Sequence, residues 1–310
     1  MKIARLVVTD GFSFSPKKAG EAILNFLNKL EGKVDWITAS GCFLGGKFPV
    51  AGDAIATGWK SKKEDQAEVH GYGDPLVEEM MTPEVSKALK SKAKYFSFGI
   101  DLKERDGDKL EKHVELVFVW DCQNKQILQR TGKTYPCGSG SHDQTHTLFH
   151  TTSYETHFVE ACGERVLVIG CNDLNMFNPR ALDIMENSRK VSGIDTERYT
   201  RTVSFRKAVK KFNPTVVLQH PHFSDTPNIW YMKWTAGIQK LVAPKAFCSA
   251  ICYGRWPDKK VKEPQPIRGT QEDVLSKSLG GCLPGKNKLG TPAWPIQDVL
   301  VSHLELKKAA

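Results

Sequence analysis

Cys171 holds a position in this chain that suits nucleophilic chemistry. It follows the apolar run 166–169 and Gly170, a pattern that predicts a buried strand ending just before the cysteine. A thiol just past a strand end lies beside backbone N–H groups that have left the sheet, which suits a thiolate nucleophile with an oxyanion site next to it. The alternative is a small buried hydrophobic residue that happens to contain sulfur. Cys171 alone does not decide between these two interpretations.

A second group of residues suited to chemistry is a set of histidines between residues 142 and 157. His142, His146 and His150 are spaced four residues apart, so on a helix they would share one face, and with Cys137 or His157 they could hold zinc or another transition metal. The threonines and flanking glycines of this segment disfavour a helix. The other interpretation is a polar loop over a pocket, in which a histidine orients a substrate or contacts water. Because no complete ligand signature is present, we expect no metal and no other cofactor.

Composition and charge are typical of a globular protein. The 310 residues are 40% hydrophobic and 25% charged, and no apolar stretch is long enough to span a bilayer. The N-terminal segment resembles a strand rather than a signal peptide, so we expect a cytoplasmic location and no membrane partner. The net charge of +9 is spread over short lysine clusters without interleaved aromatics, so we expect no nucleic-acid site. The eight cysteines include no Cys-x-x-Cys pair, which favours reduced thiols over a disulfide framework.

The elements that must position these residues alternate between strands and helices. Hydrophobic periodicity predicts strands at residues 3–8, 34–39, 95–100, 113–120, 126–130, 166–169, 215–219, 246–253 and 299–306. It predicts helices at residues 19–30, 83–93, 200–212 and 229–243. Residues 45–73 and 138–152 are predicted loops, and residues 257–292 are a predicted exposed excursion. A hairpin in the middle of this alternation predicts one mixed-sheet α/β domain over residues 1–310 rather than a purely parallel sheet.

The order of these segments resembles the nitrilase superfamily of carbon–nitrogen hydrolases. Residues 163–180, which contain Cys171, are similar to the family's nucleophile strand and the loop that follows it. Residues 117–136 are similar to the family's hairpin that ends in its catalytic lysine, here Lys133, and this lysine lies 38 residues before Cys171. Residues 214–254 are similar to the family's next two strands and the helix between them. The resemblance extends from residue 1 to about residue 255, with a looser fit beyond.

The resemblance implies a four-layer αββα sandwich of nitrilase type with mixed sheets. It implies that the protein cleaves a small amide or nitrile through a cysteine thioester and pairs into a homodimer or a higher homo-oligomer. Cys171 would be the nucleophile, and Lys133 would be the cation that stabilises the thiolate and the oxyanion. The backbone at Asn172 would contribute to the oxyanion site.

The chain departs from the family pattern at the general base. The family has a glutamate at the end of its second strand, and Gly41 stands at the corresponding position in the segment 39–46. Loss of a general base costs on the order of 10²–10⁴-fold in rate. Either another residue supplies the base, or the thiolate forms through Lys133 and backbone dipoles alone. The candidates for a replacement base are Asp53, His142, Asp143 and Glu155.

Two other functions stay open at this stage. Because the missing group is the one that activates the nucleophile, the chain can have kept the fold and lost hydrolysis, in which case it binds a ligand or a protein partner. The second alternative is a metal-dependent hydrolase that uses the histidines of residues 142–150.

Overall fold

The described part of the chain forms two β-sheets with helices on their outer faces. The computed structural model describes residues 1–8, 13–49, 55–58, 60–106, 109–136, 146–178, 193–222, 237–249, 288–289 and 299–305. The strands are β1 (Lys2–Val8), β2 (Val34–Thr38), β3 (Leu44–Lys47), β4 (Ala93–Asp106), β5 (Lys109–Asp121), β6 (Gln126–Gly132), β7 (Phe158–Ala161), β8 (Glu164–Gly170), β9 (Val216–His220), β10 (Ala246–Ser249), β11 (Lys288–Leu289) and β12 (Val299–Glu305). The helices are α1 (Pro16–Lys29), α2 (Gln66–Gly71), α3 (Asp74–Met80), α4 (Pro83–Lys92), α5 (Gly193–Phe212) and α6 (Gln239–Val242), with 3₁₀ helices at Tyr154–His157 and Asn172–Phe177.

Both sheets contain parallel and antiparallel pairs. The first sheet has the order β11-β12-β1-β2-β4-β5-β6, with β3 beside β4. In it, β1, β2 and β4 are parallel neighbours, whereas β4, β5 and β6 form antiparallel hairpins. The second sheet has the order β10-β9-β8-β7, and only its β7–β8 pair is antiparallel among the described strands. The predicted mixed-sheet α/β class is therefore confirmed.

Three hydrophobic cores separate four layers. The central core joins the two sheets, with Val117 and Val119 of the first sheet packed among Val166 and Val168 of the second. A second core lies between the outer face of the first sheet and α1 to α4. A third lies between the outer face of the second sheet and residues of α5, such as Phe205. This layering confirms the predicted αββα sandwich.

The prediction of an unbroken loop over residues 45–73 is wrong, because this stretch contains most of β3 and the whole of α2. Helix α2 buries Gln66, Val69 and His70. Because two of these three residues are polar, the sequence shows no apolar stripe that would predict a helix. The Gln66 side chain instead accepts the backbone N–H groups of Thr152 and Ser153, at 2.9 and 2.8 Å. Polar contacts rather than hydrophobic periodicity therefore hold this helix on the protein.

Other predicted elements are present with shifted ends. Helix α1 begins at Pro16, because Ser15 has extended backbone angles and the proline suits the first helical turn. Strands β4 and β5 extend beyond their apolar cores because they pair with each other as one long hairpin. The predicted helix 229–243 and strand 246–253 are described only over residues 237–249. The predicted excursion 257–292 lies outside the described residues except for β11. Across the described ranges, none of the helices combines the length and the apolar character that crossing a bilayer requires.

Candidate active site

Polar side chains interrupt the inner face of the first sheet near the ends of its strands. On β5, Val117 and Val119 face the second sheet, so by alternation His113 and Glu115 face the same way. On the neighbouring strand, Asp101 is the direct cross-strand partner of Glu115. All three polar residues are buried. The inner face therefore carries two carboxylates and an imidazole where the apolar sandwich core ends.

Lys133 follows β6 and places its ammonium group beside β5. Its Nζ lies 2.7 Å from Glu115 Oε1, and both side chains are buried. The Lys133 backbone N–H donates to the carbonyl oxygen of Glu115 at 2.8 Å. Burial disfavours the ammonium, but the charges of Glu115 and Cys171 favour it, and the pKa of Lys133 is raised. Lys133 is therefore a fixed cation at neutral pH.

Cys171 comes directly after β8, where the chain turns into the 3₁₀ helix that begins at Asn172. The residue is half-buried, and its carbonyl oxygen accepts a hydrogen bond from Gln219 Nε2 at 3.0 Å. A Cβ atom on Gly170 would lie 3.4 Å from the Cβ of Lys133. The backbone turn that carries the thiol is thus packed against the residue that carries the ammonium.

Asp173 fixes this turn against the segment after β6. Its Oδ2 accepts the backbone N–H of Gly170 at 2.8 Å, and its Oδ1 accepts the N–H groups of Thr134 and Tyr135, each at 2.8 Å. Burial raises the pKa of Asp173, although His157 and the three N–H groups oppose that shift. One buried carboxylate therefore joins the two segments on which the candidate nucleophile and the candidate cation lie.

His222, two residues beyond β9, completes the cluster. Its Nε2 lies 3.7 Å from Asp101 Oδ2, and its Nδ1 lies 3.6 Å from Glu115 Oε2. Its electrostatic interaction with the Cys171 side chain also favours the protonated imidazole. The imidazole therefore lies near two carboxylates and interacts with the thiol, and its side chain is only 16% exposed.

Asp101 is held ionised by its neighbours. His113 Nε2 and Lys103 Nζ each contact one of its carboxylate oxygens. Burial alone would raise the pKa of Asp101, but its interactions with His113 and His222 lower it well below its usual range. The cluster therefore contains ionised carboxylates next to the fixed cation of Lys133.

Gly41, at the position of the family's glutamate, is enclosed by backbone. Its N–H donates to the carbonyl oxygen of Pro221 at 2.8 Å. A Cβ atom at this position would lie 2.2 Å from the carbonyl oxygen of His220, and a Cβ on Gly99 would lie 2.1 Å from the Gly41 carbonyl oxygen. Position 41 therefore has no space for any side chain, and the segment 220–221 occupies the space that a side chain there would need.

Comparison with solved structures identifies the architecture. The crystal structure of a carbon–nitrogen hydrolase from Helicobacter pylori G27 matches with a TM-score of 0.50 at 9% identity, over 99% of this chain and 90% of that chain.

This is the carbon–nitrogen hydrolase fold.

Two further solved structures to which the chain is similar are of amidases. An amidase from Nesterenkonia sp. matches with a TM-score of 0.45 at 12% identity, over 81% of this chain and 76% of that chain. A mutant of the Nesterenkonia AN1 amidase from the nitrilase superfamily matches with a TM-score of 0.47 at 11% identity, over 81% and 76%. Neither protein-family models nor curated protein sequences give a match. The carbon–nitrogen hydrolase fold expected from the order of segments is thus confirmed by structure, at an identity where sequence comparison finds nothing.

Of the four residues predicted as replacement bases, the structure describes only Glu155. Asp53, His142 and Asp143 lie outside the described residues. Glu155 is at the surface, where it pairs with Lys63 at 3.6 Å and its side chain is 67% exposed. Its role as a base stays a prediction, and its surface position does not favour it.

The histidine segment is extended where the structure describes it. His146 is exposed and His150 is buried, while Leu148 and Phe149 form isolated β-bridges to His113 and Gly58. A helix that would place the histidines on one face is therefore not formed over residues 146–150, because this stretch bonds to neighbouring backbone instead. Within the described ranges, no three His, Cys, Asp or Glu side chains are arranged to hold a metal ion. His142 lies outside those ranges.

Sequence reasoning missed Asp101, Glu115, His113 and His222. Two of them could have been found from the sequence. His113 and Glu115 alternate along β5 in phase with Val117 and Val119, which face the second sheet. Polar residues on the buried face of a predicted strand need partners, and Lys133 supplies one. His222 gave no such signal, since it lies outside any periodic element.

Proposed function

We propose that this protein hydrolyses the carbon–nitrogen bond of a small amide or nitrile through a thioester on Cys171. The observation that carries the proposal is the buried ion pair of Lys133 with Glu115, at 2.7 Å, against the turn that holds Cys171. A buried ammonium beside a half-buried thiol favours the thiolate, which is the nucleophilic form. The carbon–nitrogen hydrolase fold supports the same chemistry.

Each residue has a defined role in this proposal. Cys171 attacks the carbonyl or nitrile carbon, and Lys133 stabilises first the thiolate and then the negative charge on the substrate oxygen or nitrogen. The backbone N–H of Asn172 donates to the same developing anion. With an amide, departure of ammonia or an amine leaves a thioester, which water then cleaves. With a nitrile, the thioimidate formed first adds one water molecule before ammonia leaves and the same thioester results.

A screen for ammonia release over small amides and nitriles tests the proposal. The wild-type protein should release ammonia from at least one substrate class, and Cys171→Ala should abolish release. Lys133→Met should reduce it by about 10²-fold or more, because one stabilising group of the oxyanion is lost. Release that survives Cys171→Ala would refute the mechanism.

A second candidate function is that of a non-catalytic protein which binds a ligand or a protein partner at this site. The observation that favours it is Gly41, since the family's base is absent and position 41 has no space for one. Thermal-shift measurements with the same amides separate the two. Stabilisation by an amide without turnover in any condition would favour the binding function.

The proposal extends to a homodimer or higher homo-oligomer in a reducing, cytoplasmic compartment. None of the five cysteines that the structure describes forms a disulfide, which supports a reducing environment. Light scattering after size-exclusion chromatography measures the oligomeric state directly. A mass of 34.6 kDa would indicate a monomer and contradict this part of the proposal.

A further inference from the structure

We propose that His222 replaces the missing glutamate, taking the proton from Cys171 and returning it to the leaving nitrogen, and that Asp101 and Glu115 position it. The chemistry on a substrate rests on the proposed function, whereas the proton transfer between Cys171 and His222 can be measured without any substrate. The inference begins from geometry: the His222 imidazole lies 3.7 Å from Asp101 and 3.6 Å from Glu115, and Glu115 also holds Lys133 against the turn that carries Cys171. The Cys171 side chain in turn favours the protonated imidazole. An imidazole held by a carboxylate beside a thiol is the arrangement that activates cysteine nucleophiles.

One packing contact both leaves no space for a side chain at position 41 and fixes the position of His222. The segment 220–222 packs on the end of the loop after β2: the Gly41 N–H donates to Pro221 O at 2.8 Å, and Cys42 Sγ donates to the His222 carbonyl oxygen at 3.8 Å. This packing excludes a glutamate from position 41. It also fixes the backbone of His222 beside the cluster. The contact that excludes a glutamate at position 41 therefore also holds the proposed replacement base, His222, in place.

The other ionisable groups of the cluster are poorer candidates for the base. Burial opposes ionisation of Glu115, but the charges of His222, Lys133 and His113 outweigh it and lower the pKa of Glu115 to about 2. A carboxylate with that pKa accepts a proton poorly at neutral pH. Lys133 has a raised pKa and is already protonated. Of these groups, His222 has the ordinary pKa nearest to neutrality, and it interacts with the Cys171 side chain.

The surroundings of His222 favour a thiolate–imidazolium pair. Burial lowers the pKa of His222, but Glu115, Asp101 and Cys171 together raise it well above its usual value. The charged and titratable groups packed around the imidazole are contributed by β4, β5, the segment after β6 and the turn after β8. They are Asp101, Lys103, His113, Glu115, Lys133 and Cys171.

The proposed reaction forms a thiolate–imidazolium pair of Cys171 and His222 and regenerates that pair at its end. The Cys171 S–H proton moves to His222, which leaves a thiolate and an imidazolium. The thiolate forms a C–S bond to the substrate carbon. For an amide, the attack places the carbonyl electrons on oxygen. The imidazolium then donates its proton to the substrate nitrogen, the carbonyl re-forms, and the C–N bond breaks with release of ammonia or an amine. Neutral His222 next takes a proton from water, the hydroxide forms a C–O bond, and the C–S bond breaks. The carboxylic acid leaves, and the imidazolium again faces the thiolate.

Alkylation of Cys171 tests the inference without a substrate. The rate of iodoacetamide modification at Cys171, followed by peptide mass spectrometry from pH 5 to 9, should be high at pH 6 in the wild type. In His222→Asn the rate at pH 6 should fall at least about tenfold, and the profile should move toward that of an ordinary thiol with pKa near 8.5. The matched control is His146→Asn, because His146 is exposed, and its profile should equal that of the wild type.

A second measurement keeps the inference testable if His222→Asn does not fold. NMR titration of ¹³C-labelled histidine should show that Cys171→Ser lowers the pKa of His222, because the thiolate that favours the imidazolium is removed. An unchanged His222 titration in Cys171→Ser would overturn the inference. So would a wild-type alkylation profile in His222→Asn.

The two proposals fail in different ways. If Cys171 is activated by His222 but no amide or nitrile is cleaved, the inference stands and the proposed hydrolysis fails. If ammonia is released in a Cys171-dependent reaction that His222→Asn leaves unchanged, the hydrolysis stands and the inference fails. In an active enzyme, His222→Asn should lower kcat by about 10²–10⁴-fold.

Discussion

Asp101 and Glu115 lie directly opposite each other in the β4–β5 ladder, and both carboxylates are buried. Like charges in this arrangement repel each other and destabilise a sheet. The pair persists because each carboxylate has a cation beside it: Lys103 contacts Asp101, and Lys133 contacts Glu115. His113 also contacts Asp101. Ionised carboxylates in this arrangement need a cation beside them. Lys133 is that cation for Glu115, and it packs against the turn that carries Cys171.

The Lys133–Glu115 ion pair should contribute strongly to stability. Replacing Lys133 with methionine leaves a buried carboxylate next to Asp101 without its nearest cation, so we expect a loss of about 3–5 kcal/mol in the free energy of unfolding. Urea unfolding followed by circular dichroism measures this loss. The control is Lys63→Met, which removes the exposed 3.6 Å pair with Glu155 and should cost less than about 1 kcal/mol. Equal losses in the two variants would contradict the buried ion pair.

Gly41 should tolerate no other residue. In Gly41→Ala, the new Cβ would meet the backbone oxygen of His220 at 2.2 Å, and a carbonyl cannot rotate away as a side chain can. We expect a loss of about 3 kcal/mol. Gly71→Ala is the matched control, because nothing lies within 4 Å of its Cβ and the residue ends α2. That change should alter the free energy by less than about 1 kcal/mol.

Restoring the family's glutamate at position 41 should therefore fail. We expect Gly41→Glu to unfold the protein or to reduce its melting temperature more than Gly41→Ala does, and to increase no activity. Differential scanning fluorimetry and the ammonia assay measure both outcomes. A folded and more active Gly41→Glu protein would contradict the backbone packing at this position.

Asp173 should act by positioning the turn after β8. In Asp173→Asn, one oxygen is replaced by an NH₂ group that would face a backbone N–H, so we expect a loss of about 2–3 kcal/mol and slower alkylation of Cys171. Asp65→Asn is the control, since the Asp65 side chain makes no capping hydrogen bond. It should change stability by no more than about 0.5 kcal/mol. Unchanged Cys171 reactivity in Asp173→Asn would limit the role of Asp173 to stability.

His70 should make the protein less stable in acid. Burial, with the charges of His157 and Arg130, lowers the pKa of His70 from 6.5 to about 4. The unfolded chain therefore binds a proton between pH 6.5 and 4 that the folded protein does not bind, and stability falls as the pH decreases through this range. In His70→Gln the slope over this range should decrease by about 1 kcal/mol per pH unit. Urea unfolding at pH 7, 6 and 5 tests this, with His146→Gln as a control that should keep the wild-type slope.

The layers and the Cys171 turn follow from local patterns in the sequence. The apolar run of β8 predicts a buried strand by itself, and the order of strands and the hairpin that ends at Lys133 then predict which fold the chain adopts. These patterns depend only on neighbouring residues or on the order of the elements. They are retained at 9% identity to a protein of the same fold, because one apolar residue can replace another in a buried strand without changing the layer in which the strand lies.

The partners of Cys171 could not be predicted because they depend on register. Asp101 meets Glu115 only through the pairing of two long strands, and a shift of one residue in either strand would turn its carboxylate away from the inner face. His222 reaches the cluster because Gly170 pairs with His220 in the parallel β8–β9 ladder. The local sequence of neither segment indicates which strands pair or in which register. The only sign of this packing in the sequence is the glycine at position 41.

The pairing of β1 with β12 has a consequence for the synthesis of this protein. Lys2 lies opposite Glu305, so a strand made first hydrogen-bonds to one made about 300 residues later. At a synthesis rate of about 5–20 residues per second, β1 waits at least about 15 seconds for this neighbour. During that time its backbone edge can pair with other chains. Strand β2 covers the opposite edge of β1, so the edge that pairs with β12 stays unpaired until the chain has reached residue 299.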